Sequence, residues 1–403
     1  MTFFDDESDL EISPAAAKIG DLAAEVGLKR VELVAWRDLD HPEAGGSEVH
    51  AERVAERWAE AGLDVTVRTS RWPGGPASSD RGGYRVTREA GRYMIFPVVA
   101  GRGAGQRSRR SAPDGLVEVW NGMPFFSPAW SGRPKAVVLH HVHGGMWDLV
   151  LPPPLAKVGR IVERRVAPPL YRRAQIVTLS ESSRHTIIKS LRLPAGNVRV
   201  VPPGVDDQFS PVPASDSVEP LVVAVGRLVP YKRFDVLVDV LARLRRERIP
   251  GLRAVIAGEG IERPRLEAQI ASLNATSWLQ LPGHVDEDAK VGLYRQAWVL
   301  ASTSAYEGWG MTVTEAGACG TPSVVTRIAG HLDAVYDGVS GLLVDDPREL
   351  EQALASVLLD GPRRRRLAQG ALARAGRLSW DRTAFGTLEA LADDARRLRL
   401  RGR

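Results

Sequence analysis

The feature that most constrains the fold is a repeated order of short apolar run, glycine-containing turn and helix. Residues 31–36 form such a run ahead of the turn at Gly45 and Gly46, and residues 221–225 form another directly before Gly226. Strands that are apolar on both faces belong to parallel sheets covered by helices. Because the order occurs in both halves of the chain, we predict an α/β protein with two Rossmann-like domains.

Length and proline content place the domain boundary. The chain has 403 residues, enough for two domains that each bury a core. Residues 209–220 are rich in proline and lack apolar periodicity, which is typical of a linker. We therefore predict an N-terminal domain at residues 1–210, a second domain at 211–378 and a C-terminal helix at 379–403.

Composition excludes several classes of protein. Apolar residues make up 44% of the chain and charged residues 26%, as in globular proteins. The single cysteine, Cys319, excludes an internal disulfide framework and a cysteine-cluster metal site. The sequence contains no run of about 18 apolar residues, so we predict no membrane-spanning helix. The first 20 residues are acidic and lack the order of a secretory signal, so we expect a cytoplasmic protein.

Residues 301–315 carry the densest set of candidate site residues. Gly308 and Gly310 let backbone N–H groups approach a ligand, and a helix that begins near Thr312 directs its positive end to the same space. Such a place suits phosphate oxygens. The carboxylates of Glu307 and Glu315 only accept hydrogen bonds, so they suit sugar hydroxyls beside the phosphates. Alternatively, Thr312 and Glu315 form a capping box and Glu315 is structural.

The first turn of the second domain adds two cations. Arg227 and Lys232 follow Gly226 at the end of a predicted strand. A guanidinium binds oxygens in pairs and an ammonium acts as a point charge, so together they suit a diphosphate. The alternative is that both are solvated surface charges. Loops after two further strands fall where backbone groups could recognise a nucleotide base; these loops contain Gly258, Gly260, Gly283, His284 and Val285.

In the first domain, Gly45 and Gly46 lie at a strand-to-helix turn that suits a phosphate. The turn lacks the spacing of a dinucleotide site. Residues 140–143, His-His-Val-His, end another strand, where an open α/β sheet binds ligands. A zinc site is the alternative use of these histidines. Residues 38–40, Asp-Leu-Asp, superficially match a metal-binding motif, but we expect a solvated loop.

Residues 72–83 and 100–115 are rich in glycine, serine, arginine and proline. They flank two short predicted strands at 84–86 and 93–96. Segments of this composition are typical of long functional loops. We predict a mobile insertion in the first domain that contributes to a ligand-binding surface.

Several of these motifs resemble those of a known enzyme family. The run from Glu307 to Glu315 resembles the Glu-x7-Glu motif of retaining GT-B glycosyltransferases of family 4. Gly226-Arg227-x4-Lys232, the run Gly45-Gly46-Ser-Glu and residues 201–206 are similar to further motifs of that family. The resemblance implies a GT-B fold, in which two parallel sheets face a central cleft and the C-terminal helix returns to the first domain.

The resemblance also implies a reaction. A hexosyl group, of mannosyl or glucosyl type, would move from a GDP- or UDP-linked sugar to a hydroxyl with retention of configuration and with neither metal nor other cofactor. The possible acceptors are a glycan, a lipid-linked molecule or a small molecule, and of these we expect a glycan or glycolipid. His141, with His143 as second choice, would lie beside the donor sugar, Arg227 and Lys232 beside the diphosphate, Glu307 at the sugar hydroxyls and Glu315 at the ribose. The remaining donor contacts would come from Gly45, Gly46, Gly226, Gly258, Gly260, Gly283, His284, Val285, Gly308, Trp309, Gly310, Met311, Thr312 and Val313.

Two other classes of function fit some of these motifs. A GT-B nucleotide-sugar epimerase or phosphorylase would share the fold and the cleft. A non-catalytic carbohydrate- or lipid-binding module would share the fold without binding a nucleotide sugar.

Charge is distributed unevenly. The net charge is +5, yet residues 361–403 hold twelve arginines against four acidic residues, a balance of +8 that leaves −3 elsewhere. A basic helical tail can bind anionic lipid at the inner face of the cell membrane or form a solvated surface. We expect residues 363–366 to contact lipid, and Arg396, Arg397, Arg399 and Arg401 to pack the last helix. No motif predicts binding to nucleic acid.

Overall fold

The computed structural model describes residues 13–105, 112–212 and 219–401. Its strands are β1 (Arg30–Val34), β2 (Asp64–Thr69), β3 (Ser78–Arg81), β4 (Tyr84–Arg88), β5 (Gly115–Trp120), β6 (Lys135–Leu139), β7 (Gln175–Thr178), β8 (Val198–Val200), β9 (Leu221–Val225), β10 (Arg253–Ala257), β11 (Leu279–Gly283), β12 (Val299–Ser302), β13 (Ser323–Thr326) and β14 (Gly341–Val344).

The helices cover both faces of the sheets. They are α1 (Pro14–Glu25), α2 (Gly46–Glu60), α3 (Ile95–Gly105), α4 (Ser127–Trp130), α5 (Trp147–Val150), α6 (Pro153–Ile161), α7 (Ala167–Tyr171), α8 (Glu181–Leu191), α9 (Phe234–Glu247), α10 (Arg263–Ser272), α11 (Glu287–Gln296), α12 (Met311–Ala318), α13 (His331–Ala334), α14 (Pro347–Leu359), α15 (Gly361–Ala375) and α16 (Trp380–Arg401). A π-helical turn, Val162–Val166, joins α6 to α7.

The strands form two sheets whose order confirms the predicted GT-B-type architecture. The first has the order β3-β4-β2-β1-β5-β6-β7-β8 and is parallel except for β3. The second, β11-β10-β9-β12-β13-β14, is parallel throughout. Strand order reverses between β1 and β5 and between β9 and β12. Ligands of open α/β sheets bind outside the carboxyl ends of strands at such points.

The C-terminal helix α16 packs on the first sheet although it follows the second in sequence. Its buried carboxylate, Asp394, accepts the backbone N–H of Lys135 at 2.9 Å. The indole N–H of Trp58 donates to the carbonyl of Ala384 at 3.0 Å. Leu388 and Leu391 join the apolar core of the first domain. A helix from the end of the chain thereby completes the core of the domain at its beginning.

Three arginines of α16 form contacts between this helix and the rest of the first domain. Arg396 pairs with Glu25 at 2.8 Å, Arg397 donates to the carbonyl of Arg173, and Arg399 donates to the carbonyl of Glu25 at 3.2 Å. Their charge holds the helix in place, as the sequence suggested for the end of the chain. Within the described ranges, no helix is both long and apolar enough to cross a membrane.

Two predictions about the first domain are wrong. The segment predicted as a strand at 93–96 leads into helix α3, because Ile95 and Val99 are buried at helical rather than alternating spacing. The Asp-Leu-Asp segment is not simply solvated, because Arg88 donates to both oxygens of buried Asp38, at 2.8 and 2.9 Å. Residues 106–111 of the predicted insertion and 213–218 of the predicted linker lie outside the described residues.

The attachment of α16 can be tested with Asp394→Ala. Loss of this fully buried carboxylate leaves the Lys135 amide without its acceptor, which costs about 1–3 kcal/mol. Urea unfolding should show that loss. The control is Asp393→Ala on the same turn, whose 37% exposed side chain pairs with Arg199 and should contribute at most about 1 kcal/mol. Equal losses in the two variants would contradict a special role for Asp394.

Candidate functional site

The N-termini of two helices, one from each domain, face each other across the cleft. A Cβ atom placed on Gly46, at the start of α2, would lie 3.2 Å from Sδ of Met311 at the start of α12. One placed on Gly45 would lie 3.6 Å from Nε of Arg227. Two positive helix ends and a guanidinium therefore border one space, an arrangement that suits an anion.

The Gly45 turn is held by Glu48, which the sequence analysis names only as part of a motif, and by Arg37, which it does not name. Glu48 accepts the N–H of Gly45 at 2.8 Å, and Nε of Arg37 lies 3.4 Å from the same carboxylate. Arg37 also donates to Glu43 at 2.8 Å. Burial and the nearby Arg227 lower the pKa of Arg37. The position of Glu48 three residues after Gly45 was a capping signal that could have revealed it.

Lys232 and Glu307 form an ion pair beside Gly226, where an added Cβ atom would lie 3.5 Å from Cε of Lys232. Ser304 donates to the same oxygen of Glu307 at 2.9 Å. Burial alone would raise the pKa of Glu307, but Lys232, His331 and the Ser304 hydroxyl together hold that pKa below its usual range. Glu307 is therefore an ionised acceptor whose position is fixed by two donors.

Of the three histidines at the end of β6, His141 is the one whose ring is influenced by this ion pair. Burial lowers its pKa to about 4, an effect that Glu307 partly offsets and Lys232 reinforces. His143 stacks on His141 with a centroid distance of 4.8 Å and, like His140, has a pKa lowered well below its usual range by burial. Neutral imidazole is thus the form present near neutral pH.

Glu163, in the π-helical turn, supports the histidine loop. Its buried carboxylate accepts the backbone N–H groups of His143 at 2.7 Å and of Gly144 at 2.9 Å, as well as the indole N–H of Trp147. π-Helical turns are rare and frequent at functional sites. An acidic residue among the basic residues of this helix was the sequence signal that could have identified Glu163.

The loop after β12 approaches the first domain closely. A Cβ atom on Gly308 would lie 2.8 Å from the carbonyl oxygen of His140, so a side chain there would separate the two domains. Ser180, at the start of α8, donates to the carbonyl of Gly308 at 3.2 Å. Nearby, Asp333 of the second domain accepts the N–H groups of Glu181 and Ser182. Glycine at 308 therefore permits a tight fit between the domains.

The side chains of this loop divide between cleft and core. Gly310 has φ 95° and precedes α12, beside the buried ring of His331. Trp309 and Val313 lie in the apolar core, so their side chains face away from the cleft. Thr312 and Met311 are partly exposed. Only the backbone groups of Trp309 and Val313 remain candidates for a donor contact.

Glu315 does not close the capping box proposed as its alternative role, because Gly310 caps α12 without a side-chain bond. Instead Glu315 accepts the hydroxyl of Tyr294 at 3.1 Å and pairs with Lys290 at 3.4 Å. Burial raises its pKa, although Lys290 opposes the rise.

The glycines of the predicted base-binding loops pack those loops on one another. A Cβ on Gly258 would lie 2.0 Å from the carbonyl oxygen of Gly226, and one on Gly260 would lie 2.2 Å from that of Leu228. Gly283 accepts the N–H of Gly258 at 2.8 Å. His284 is exposed and Val285 is partly exposed directly after β11. The loops that follow β9, β10 and β11 therefore contact one another next to Arg227.

A metal site has no support in the described part of the chain. There, no group of three or more His, Cys, Asp or Glu side chains is arranged to hold a metal ion. The zinc alternative for residues 140–143 therefore lacks a ligand set among these residues.

Comparison with known proteins agrees with this architecture. Residues 205–374 match the family described as Glycosyl transferases group 1, and residues 44–209 match Glycosyltransferase Family 4. A D-inositol 3-phosphate glycosyltransferase of Stackebrandtia nassauensis is 31% identical over 92% of this chain and 93% of its own. One from Salinispora tropica is 38% identical over 50% of this chain and 48% of its own.

Solved structures share the fold. Sucrose-phosphate synthase from Thermosynechococcus elongatus superposes with a TM-score of 0.75 at 21% identity, over 93% of this chain and 98% of that one. The Anabaena protein HepE in complex with UDP-glucose gives 0.68 at 19% identity, over 92% and 99%. The sequence matches and the two-sheet cleft show that the chain belongs to the glycosyl transferases group 1 family, glycosyltransferase family 4, with the GT-B fold.

Proposed function

We propose that this glycosyltransferase moves a hexosyl group from a nucleoside-diphosphate sugar to a hydroxyl acceptor, with retention of configuration and without a metal. The observation that carries the proposal is the convergence of the N-termini of α2 and α12 with Arg227 and Lys232 around one space. Breaking the glycosidic bond develops negative charge on the diphosphate leaving group. Fixed positive groups directed at developing charge are the strongest contribution that a protein site makes.

Glu307 and His141 suit the donor sugar. The carboxylate of Glu307 is ionised and held by Lys232 and Ser304, so it can accept hydrogen bonds from sugar hydroxyls. Nε2 of His141 is buried without a protein partner, and neutral imidazole can bond a hydroxyl there. Lys232 touches Glu307, so it would couple the position of the diphosphate to that of the sugar.

Glu315 suits the ribose. Tyr294 and Lys290 both contact its Oε2 atom, which leaves Oε1 to accept a ribose hydroxyl. Closure of the domains, which Gly308 and Ser180 accommodate, would exclude water and so protect the donor from hydrolysis.

For the acceptor, we propose the hydroxyl of a small phosphorylated polyol. The sequence suggested a glycan or glycolipid, whereas the full-length relative carries the name of an inositol 3-phosphate glycosyltransferase. In the first domain, the guanidinium groups of Arg37 and Arg92 lie 4.5 Å and 4.8 Å from the ring centroid of Trp36. These cations beside the Gly45 turn suit an anionic acceptor.

A thermal-shift panel of nucleoside diphosphates tests donor binding. A ligand that binds only the folded protein raises its melting temperature. We expect a rise with UDP or GDP and a smaller one with the corresponding nucleoside. No shift with any nucleoside diphosphate would favour a non-catalytic module. Incubation with donor alone distinguishes an epimerase, which would form product without acceptor.

Lys232→Ala should lower transfer by about 10²- to 10³-fold, because one charge-stabilising donor is lost. The variant also removes the charge that lowers the pKa of Glu307, so that pKa rises. The acid limb of the pH–rate profile should therefore move to higher pH, and Lys232→Arg should restore its position. Rates within threefold of the parent, or an unmoved limb, would refute this role.

Treatment with a chelator should leave the rate unchanged, because Arg227 and Lys232 supply the positive charge at the leaving group. The assay compares initial rates before and after dialysis against EDTA. A loss of rate that Mn²⁺ or Mg²⁺ restores would contradict the metal-independent mechanism.

A further inference from the structure

Exposed apolar side chains concentrate in one segment of the first domain, residues 147–173, here called the α5–α7 segment. Seven of the eighteen exposed large apolar residues in the described part of the chain lie there, each between 42% and 54% exposed. Leu155, Val158 and Ile161 belong to α6, and Val166 and Leu170 follow it. Single exposed apolar residues are common, but a contiguous group marks a contact surface.

Helix α6 differs from an ordinary surface helix, because its small residues face the domain and its large apolar residues face outward. Its inward positions are the small residues Ala156 and Gly159, and a Cβ on Gly159 would lie 2.7 Å from the ring of Trp147. Glu163 continues the buried side. The bulky Val158 and Ile161, three residues apart, are left on the outside. Because the small inward residues bring the helix close to the domain, its large apolar side chains are available to another surface.

The same segment is strongly basic. Lys157, Arg164, Arg165 and Arg172 are exposed. Arg160 pairs with Asp148, which is the only exposed acidic residue of the segment. The other acid, Glu163, is buried under the histidine loop. An outer face that combines apolar side chains with lysine and arginine is typical of helices that lie in a bilayer interface.

We propose that the outer face of the α5–α7 segment docks on an anionic lipid bilayer. The apolar side chains would enter the boundary between headgroups and acyl chains, and the basic ones would lie among anionic headgroups. A second copy of the chain fits the face less well. A symmetric pair would place the same cations opposite each other, which is repulsive.

This surface replaces the C-terminal arginines as the expected lipid contact. Arg364 lies over the ring of Trp298 at 3.9 Å, and Arg396, Arg397 and Arg399 hold α16 against the first domain. Helix α15 buries Leu367 and Ala371 and adds no exposed large apolar residue. Among the described residues of the tail, Leu400 is the single exposed large apolar residue, so the tail offers charge without a contiguous apolar face.

Docking would bring the cleft close to the bilayer. Glu163 belongs to the segment and holds the backbone of His143 and Gly144 at the cleft. The docking proposal does not depend on the proposed reaction, since lipid binding is measurable without donor or acceptor.

Co-sedimentation of the full chain with vesicles tests the proposal. The vesicles contain phosphatidylcholine alone or with phosphatidylglycerol, each at low and high salt. We expect binding to the anionic vesicles at low salt, at least about tenfold weaker binding to neutral ones, and a loss at high salt. The triple variant Leu155→Gln, Val158→Gln, Ile161→Gln should lower binding by about tenfold or more.

Matched variants remove similar groups elsewhere. The control for the apolar triple is Ile261→Gln, Leu273→Gln, Leu359→Gln, three exposed apolar residues of the second domain. For charge, neutralising Lys157, Arg164 and Arg165 is compared with neutralising Arg363, Arg365 and Arg366. The control sets should bind like the parent. The thermal shift with nucleoside diphosphate, measured on every variant, reports folding and donor binding separately from lipid binding.

Three outcomes would overturn the proposal. The parent could remain in the supernatant with anionic vesicles at low salt. The control sets could lose as much binding as the α5–α7 variants. Sedimentation velocity without lipid could show a dimer that the apolar triple dissociates, which would assign the face to a second copy of the chain.

Discussion

The constraint on which the rest of the structure depends is that positive groups of both domains border one space. Arg227, Lys232 and the N-termini of α2 and α12 would repel one another across it if nothing offset their charge. Carboxylates of each domain offset this repulsion by pairing with the cations. Glu307 pairs with Lys232, and Glu43 and Glu48 pair with Arg37 at the facing turn. An incoming diphosphate would meet cations whose positions are already fixed, so little reorganisation is needed when charge develops.

The fit between the domains depends on small residues where backbones meet. Gly308 admits the carbonyl of His140, and Gly204 admits the backbone at the start of α16, 2.2 Å from where its Cβ would be. Hydrogen bonds from Ser180 and to Asp333 then join the domains. Because α16 is part of the first core, the second domain is tied to the first at the linker and at this helix.

Local sequence patterns predict the strands, the glycine turns and the helix starts well, because each depends on neighbours in the chain. Side-chain direction is harder. The residue spacing around Met311 does not reveal that the side chains of Trp309 and Val313 point to the core. The bond between Asp38 and Arg88 joins residues 50 positions apart, and no local pattern specifies such a pair. Glu163 is also missed, since its partners are backbone amides 19 and 20 positions away.

The histidine loop is held from two sides, and this explains why neutral rings occur there. Glu163 binds its backbone from the α5–α7 segment, while the Gly308 loop presses on His140 from the second domain. Buried between these supports, the rings of His140, His141 and His143 lose water, and desolvation lowers their pKa. A charged ring at His141 would stand beside Lys232 and weaken its pairing with Glu307. Neutral histidine can instead bond a hydroxyl without adding charge, so the positive charge of this site remains that of Arg227, Lys232 and the helix N-termini.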